Sequence, residues 1–166
     1  MERGILIDVD KNTVSSSIEQ GARGRPSAIS TMVGVELSTR QQALLSDLPN
    51  TRAEVIVQKN SVSMTDLAAL SAATGDEFAM FTLKGDRLIV RGDERRVYIG
   101  DDRAIALNAE GYRFSGHTHT KLLHNGMELE PSDGDYGILK YFDQKESVIY
   151  NIKGNYRTFE NRNQKE

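Results

Sequence analysis

The chain has 166 residues, of which 38% are hydrophobic and 27% are charged, and its formal net charge is −3. This composition predicts a soluble globular chain with enough apolar material for one core. The acidic balance argues against a generic nucleic-acid-binding protein, which is usually basic. Because the chain has no cysteine, disulfides, a thiol nucleophile, cysteine-ligated zinc and the cysteine-dependent zinc deaminases are excluded.

The apolar runs of the chain are all shorter than the roughly 18 residues that a membrane span needs. The N-terminus also lacks the apolar stretch of a signal peptide. We therefore expect a cytoplasmic protein, or one that is exported without a signal or as part of a larger toxin.

Residues 1–50 are predicted to form an N-terminal extension that is partly irregular. Residues 4–9 favour a short strand, whereas residues 15–30 are rich in Ser, Gly and Arg and favour a loop. A helix is expected to start near Ser38 and to end before Pro49. The extension is a candidate docking region for a cognate partner, or a linker in a longer parent protein.

Residues 51–160 are expected to form the main domain, followed by a polar, frayed tail at residues 161–166. The predicted elements are a strand at 52–58, a helix at 63–75, a hairpin at 77–91, a strand at 96–99, a segment at 104–107 that fits a strand or a short turn, a strand from 111, an amphipathic helix at 133–143 and a hairpin at 147–159. This order predicts an α+β fold with a mixed, largely antiparallel sheet flanked by helices.

Two of the three histidines, His117 and His119, end the strand that starts at residue 111. In a strand, residues i and i+2 point to the same side, so both imidazoles would face one point. Converging imidazoles are typical of a zinc site, although a lone pair of this spacing also occurs as surface or hydrogen-bonded histidines. Asp135 is the candidate third ligand, because it follows a helix start at which Ser132 can act as N-cap.

From about residue 64 to residue 159, the chain resembles the JAB/JAMM (MPN-type) metalloprotease domains. It is most similar to those attached to bacterial polymorphic toxins and to phage-associated proteins. Five features match in order: Glu77 opens a strand after a helix, a strand ends in the histidine pair, a Ser-x-x-Asp motif begins the next helix, and two short strands follow. The resemblance implies a JAB/MPN-like fold, with the layered mixed sheet also found in cytidine deaminases.

The resemblance also implies a zinc-dependent peptidase or isopeptidase that hydrolyses an amide bond through a metal-bound hydroxide. It implies that His117, His119 and Asp135 hold Zn²⁺, that Glu77 is the general acid and base, and that Ser132 donates a hydrogen bond to the oxyanion. Zinc lowers the pKa of bound water to about 7, and a nearby carboxylate can move the proton. The expected substrate is a protein or peptide, with ubiquitin-like proteins among the candidates.

The chain departs from the family pattern at three places. Thr120 stands where the family usually has proline, residues 121–130 lengthen the connection to Asp135, and Met80 and Thr82 replace a Gly-x-Leu pattern. We expect the 121–130 segment to form a longer loop over the site and to shape specificity.

Two neighbouring residues are alternative site residues. His124 lies in the 121–130 segment and is expected to face solvent or substrate. Asp133 could replace Asp135 as a ligand, but it would face elsewhere on the helix. The aromatic residues Tyr112, Phe114, Tyr136 and Phe142 are expected in the core.

Two other classes of function stay open at this point. One is a JAB-like scaffold that binds a partner without catalysis. The other is a metal-independent nuclease or phosphoesterase that uses the two histidines as acid and base, although the two-histidine phosphoesterases carry them in two separate motifs.

Overall fold

The computed structural model describes residues 4–8 and 36–162 of the chain. The loop predicted at residues 15–30 and the last four residues of the predicted tail lie outside the described residues. The described elements are β1 (Gly4–Asp8), α1 (Thr39–Ser46), β2 (Glu54–Gln58), α2 (Met64–Thr74), β3 (Phe78–Leu83), β4 (Asp86–Arg91), β5 (Arg96–Gly100), α3 (Asp101–Glu110), β6 (Arg113–Thr118), α4 (Asp133–Tyr141), β7 (Glu146–Tyr150) and β8 (Tyr156–Glu160), with 3₁₀ segments at Lys59–Ser61 and His124–Leu129.

Six strands form one sheet in the order β2-β4-β3-β6-β7-β8. Four of its neighbouring pairs are antiparallel, and β6 and β7 are parallel. β1 pairs antiparallel with β5 in a separate two-stranded sheet and lies against α4. The predicted α+β fold with a mixed, largely antiparallel sheet is confirmed, and the more specific JAB/MPN architecture stays a prediction.

Helices cover both faces of the large sheet. Successive residues of β3 alternate between two buried clusters, because neighbouring side chains of a strand point to opposite faces. The cluster on the α1 and α2 side contains Leu37, Leu44, Leu48, Val62, Met64, Leu67, Leu70, Ala73, Phe78, Met80 and Ile89. The cluster on the α3 and α4 side contains Ala79, Phe81, Leu88, Val90, Val97, Ile99, Ala104, Leu107, Tyr112, Phe114, Ile138, Leu139, Phe142, Ile149 and Phe159.

At the start of α2, Oδ2 of Asp66 accepts a hydrogen bond from the Ser63 N–H at 2.8 Å, which is the acidic half of a capping box. The Asp66 carboxylate also accepts hydrogen bonds from both terminal nitrogens of Arg40, at 2.7 and 2.9 Å, and from Nε2 of Gln41 at 2.9 Å. Arg40 and Gln41 belong to α1, so one carboxylate fixes α1 against α2. The helix ends at Gly75, whose φ of 79° is the left-handed conformation expected of a helix-terminating glycine.

The segment at 104–107, predicted to be a strand or a short turn, is instead the centre of helix α3; that prediction was wrong. Its apolar residues are too few for periodicity to decide, so the flanking residues decide. Asp101 and Asp102 stand in the first turn of α3, where they complement the helix dipole. Gly111, assigned to the next strand by the sequence, terminates the helix with a φ of 103°.

The strand β6 passes so close to its neighbours that position 116 requires glycine. A Cβ atom added to Gly116 would lie 2.8 Å from Cγ1 of Val148 and 3.0 Å from Sδ of Met64. Two residues on, the Thr118 hydroxyl lies 2.5 Å from Oγ of Ser71 on α2 and accepts a hydrogen bond from the Phe78 N–H. Thr118 therefore faces α2, and His117 points to the opposite face of the sheet, toward α4.

None of the helices among the described residues is both long and apolar enough to cross a membrane.

Candidate metal centre

Three buried side chains converge where β6 ends and α4 begins. Nε2 of His117 lies 3.1 Å from Nε2 of His119 and 2.9 Å from Oδ1 of Asp135. Nε2 of His119 lies 3.4 Å from Oδ2 of Asp135. The three residues are at most 1% exposed and form a group that could hold a metal ion. The sequence thus predicted correctly that both imidazoles face one point and that Asp135 lies beside them.

The start of α4 places Asp135 at this point. Ser132 is the N-cap, and its hydroxyl oxygen accepts a hydrogen bond from the Asp135 N–H at 3.2 Å. In return, Oδ2 of Asp135 accepts a hydrogen bond from the Ser132 N–H at 2.8 Å. This capping box fixes the carboxylate in the first helical turn, where the helix dipole favours negative charge.

The 121–130 segment fixes the orientation of His119. Nδ1 of His119 lies 2.6 Å from the backbone carbonyl oxygen of Glu128. Because a carbonyl oxygen only accepts hydrogen bonds, Nδ1 must carry the proton and donate it. This bond therefore orients the ring so that Nε2 faces His117 and Asp135.

His117 is held by packing. Its ring stacks on Phe114 at a centroid distance of 5.5 Å and meets the edge of Phe159 at 6.3 Å. Its Nδ1 atom is buried and has no hydrogen-bond partner among the described residues. Burial lowers the pKa of His117, although the neighbouring Asp135 carboxylate opposes this effect.

Asp135 is ionised in spite of its burial. Burial alone would raise the pKa of this carboxyl group, but the close approach of the His117 and His119 rings outweighs burial and lowers the pKa well below its usual range. Its Oδ1 atom lies close to His117, yet it accepts no hydrogen bond of good geometry from the described residues. A buried carboxylate oxygen in this state is a candidate metal ligand.

The three candidate ligand atoms have a spacing and a chemistry that fit a transition-metal site. Four ligands placed tetrahedrally at zinc distances lie about 3.3 Å apart, close to the observed 2.9, 3.1 and 3.4 Å. Nε2 of His119 and Oδ2 of Asp135 lie 3.4 Å apart in the buried interior, so a cation placed between them could contact both atoms. Two imidazoles with one carboxylate suit zinc and related metals better than magnesium or calcium.

Glu77 lies beside this group without belonging to it. Its side chain is completely buried, and its backbone extends the β3–β4 ladder through bonds to Asp93 and Gly92. The β3–β6 register pairs Ala79 with His117. Continued by two residues, this register sets Glu77 opposite His119, on the face of the sheet to which both imidazoles point.

The remaining predicted residues fall outside the ligand group. Ser132 is half-buried at the helix start, and its hydroxyl hydrogen is not used by the capping bond that its oxygen accepts. Asp133 is exposed and pairs with Arg162 at 3.2 Å, so the choice of Asp135 over Asp133 agrees with the geometry. His124 is exposed on the 121–130 segment, as expected for a solvent-facing residue.

The aromatic residues that the sequence placed in the core do lie there. Phe114, Tyr112 and Phe142 belong to the α3 and α4 cluster, and Tyr136 packs against it.

Two residues that support the centre were missed by the sequence analysis. Glu128 is buried on the 121–130 segment, and Asn151 is buried just after β7. Nδ2 of Asn151 donates a hydrogen bond to Oε2 of Glu128 at 2.7 Å. Burial acts to raise the pKa of Glu128, but hydrogen bonds from Asn151 and from the Leu123 N–H outweigh it and lower the pKa. No local sequence pattern marks either residue, because their contact joins positions 23 residues apart.

Comparison with protein-family models, with curated proteins and with solved structures gave no match to this chain.

Proposed function

We propose that this protein is a zinc-dependent peptidase or isopeptidase that cleaves an amide bond in a protein or peptide substrate. The observation that carries the proposal is the buried convergence of His117, His119 and Asp135, with a fourth buried residue, the acid Glu77, opposite His119. Three protein ligands plus an adjacent carboxylate are the usual composition of a hydrolytic zinc site.

In this proposal, Glu77 moves the proton of the reaction. When bound, zinc supplies the Lewis acidity that lowers the pKa of water to about 7. The Glu77 carboxylate accepts the proton of the attacking water and gives it to the leaving amine. The buried position of Glu77 strengthens its electrostatic interactions with the reacting atoms.

Ser132 has the proposed role of a hydrogen-bond donor. Its oxygen accepts the bond that caps α4, so its hydrogen can be donated to the oxygen of the amide under attack. Such donors stabilise the negative charge that develops in the transition state.

The burial of the centre favours a second candidate function. Glu77, His117, His119 and Asp135 are each at most 1% exposed, whereas a catalytic zinc keeps one position open to water and substrate. A metal that only stabilises a binding scaffold would be enclosed in this way. For the peptidase proposal, the 121–130 segment, which covers His119, must move to admit a substrate.

Hydrolysis assays with a matched pair of variants test the proposal. The zinc-loaded protein is incubated with a panel of linear and isopeptide-linked ubiquitin-like conjugates. We expect cleavage by the parent, and a loss of about 10²–10⁴-fold in Glu77→Gln with unchanged zinc content. Asp133→Asn changes an exposed acid at the same helix start and should cleave like the parent.

The outcomes separate the two candidate functions. If Glu77→Gln cleaves as fast as the parent, Glu77 is not the general base. If the parent holds zinc but cleaves no conjugate in the panel, the binding scaffold is the better account.

A further inference from the structure

The 121–130 segment has one buried acid in a mostly exposed stretch. Leu122 and residues 124–127 are exposed, whereas Glu128 is 5% exposed. The Glu128 carboxylate accepts a hydrogen bond from the Leu123 N–H through Oε1 at 2.8 Å and from Asn151 through Oε2 at 2.7 Å. Burying a carboxylate costs free energy unless it is hydrogen-bonded in this way. These two bonds therefore fix the position of the segment.

Asn151 is itself rigidly held. Its Oδ1 atom accepts hydrogen bonds from the N–H groups of Lys153 and Asn155, both at 2.9 Å, and thereby closes the turn between β7 and β8. Its Nδ2 atom is left to point at Glu128. The segment is therefore anchored to the sheet itself, next to the strand that runs parallel to β6.

The anchored residue is also the one that touches the metal centre. The backbone carbonyl of Glu128 accepts the Nδ1–H bond of His119, so the position of this carbonyl depends on the two bonds of its own side chain. Backbone partners of ligating histidines fix the tautomer and the ring orientation.

We propose that Glu128 and Asn151 are positioning residues of the metal centre: their side-chain bond holds the Glu128 carbonyl against His119 and so presents Nε2 of that ring to the metal. The inference rests on the proposed metal centre. It gives the 121–130 segment a role in metal binding in addition to any role in substrate selection.

Three variants test the Glu128–Asn151 side-chain bond, which is called the clamp below, because its donor and acceptor can be exchanged. Glu128→Gln places an amide group opposite the two N–H donors of Leu123 and Asn151. Asn151→Asp keeps the Oδ1 acceptor of the turn but sets a carboxylate against the Glu128 carboxylate. In the double variant Glu128→Gln/Asn151→Asp, the new amide at 128 can donate to the new carboxylate at 151, which restores the bond in the opposite direction.

Two readouts are measured on the full chain. The first is zinc affinity, from competition with a chelator at neutral pH. The second is the tautomer of His119 in metal-free protein, from long-range ¹H–¹⁵N spectra of the imidazoles. The control is Glu130→Gln, since Glu130 is exposed on the same segment and pairs only with the surface residue Arg157 among the described residues.

We expect each single variant to bind zinc about 10–100-fold more weakly than the parent and to lose the single Nδ1–H tautomer of His119. The double variant should recover both properties relative to the singles, and Glu130→Gln should match the parent. Single variants that keep parental affinity and tautomer, or a double variant no better than the worse single, would overturn the clamp and leave the metal centre standing. If the parent binds no zinc, the proposed function fails, and the tautomer of His119 alone decides whether the clamp positions this ring.

Discussion

Each histidine of the centre is held in a different way. His119 is oriented by a hydrogen bond to a backbone carbonyl, whereas His117 is oriented by stacking on Phe114. Both rings present Nε2 to the same carboxylate.

The first prediction compares two aspartates of α4. Asp135→Asn should weaken zinc binding by at least about tenfold, since a neutral amide is a poorer ligand than a carboxylate. Asp133→Asn should leave it unchanged, because Asp133 is exposed and faces Arg162. Chelator competition on the two variants measures the difference, and equal losses would show that Asp135 is not the ligand.

The convergence of His117, His119 and Asp135 could be predicted from sequence because each position depends on local geometry. The spacing of His117 and His119 follows strand periodicity, and Asp135 follows the cap at Ser132. Glu128 and Asn151 could not be predicted, since Glu128 acts on His119 through its backbone carbonyl, which every residue has. Their side-chain bond also forms only when the 121–130 segment meets the β7–β8 turn.

At the scale of secondary-structure elements, the polar contact between α1 and α2 depends on one carboxylate, that of Asp66. Asp66 receives hydrogen bonds from Arg40, Gln41 and the Ser63 N–H. Burial acts to raise the pKa of Asp66, but these partners together outweigh it and lower the pKa. A group whose pKa is lower in the folded state stabilises the fold above its unfolded pKa, and this stabilisation is lost as the pH falls through the folded value.

The second prediction follows from the lowered pKa of Asp66 in the folded state. Asp66→Asn should reduce the free energy of unfolding by roughly 1–2 kcal/mol at pH 7, because the donors of Gln41 and Ser63 lose a charged acceptor. The difference from the parent should shrink as the pH falls below about 4, where an unfolded aspartate becomes protonated.

Urea unfolding at pH 7 and at about pH 3 measures this difference. Asp102→Asn, an exposed acid in the first turn of α3, is the control and should change stability much less. A difference between Asp66→Asn and the parent that is the same at both pH values would contradict the role assigned to the ionised carboxylate.

Elements with clear boundary signals were predicted, and the one with a weak internal pattern was not. The hairpin of β3 and β4 turns at Lys84 and Gly85, as its turn residues indicate. Helix α3 was missed because residues 104–107 alone fit more than one structure. The residues that mark its boundaries are Asp101 and Asp102 at the start and Gly111 at the end. They indicate a helix only when residues 101–111 are considered as one segment.

At the scale of the whole molecule, the candidate metal centre lies between the large sheet and α4. The parallel pair β6 and β7 brings the end of the histidine strand next to the turn that carries Asn151. The order of elements in the sequence was enough to predict a mixed sheet with helices. The pairing of β6 with both β3 and β7, which gathers Glu77, the histidines and Asn151, depends on long-range contacts that no local pattern encodes.

The metal content of protein purified without added metal tests the central claim most directly. The account predicts about one zinc per chain in the parent and none in the double variant His117→Ala/His119→Ala, with iron measured in the same samples because two histidines and a carboxylate also hold Fe(II). Parent protein without zinc, parent protein with iron in its place, or a double variant that keeps stoichiometric zinc would contradict the account.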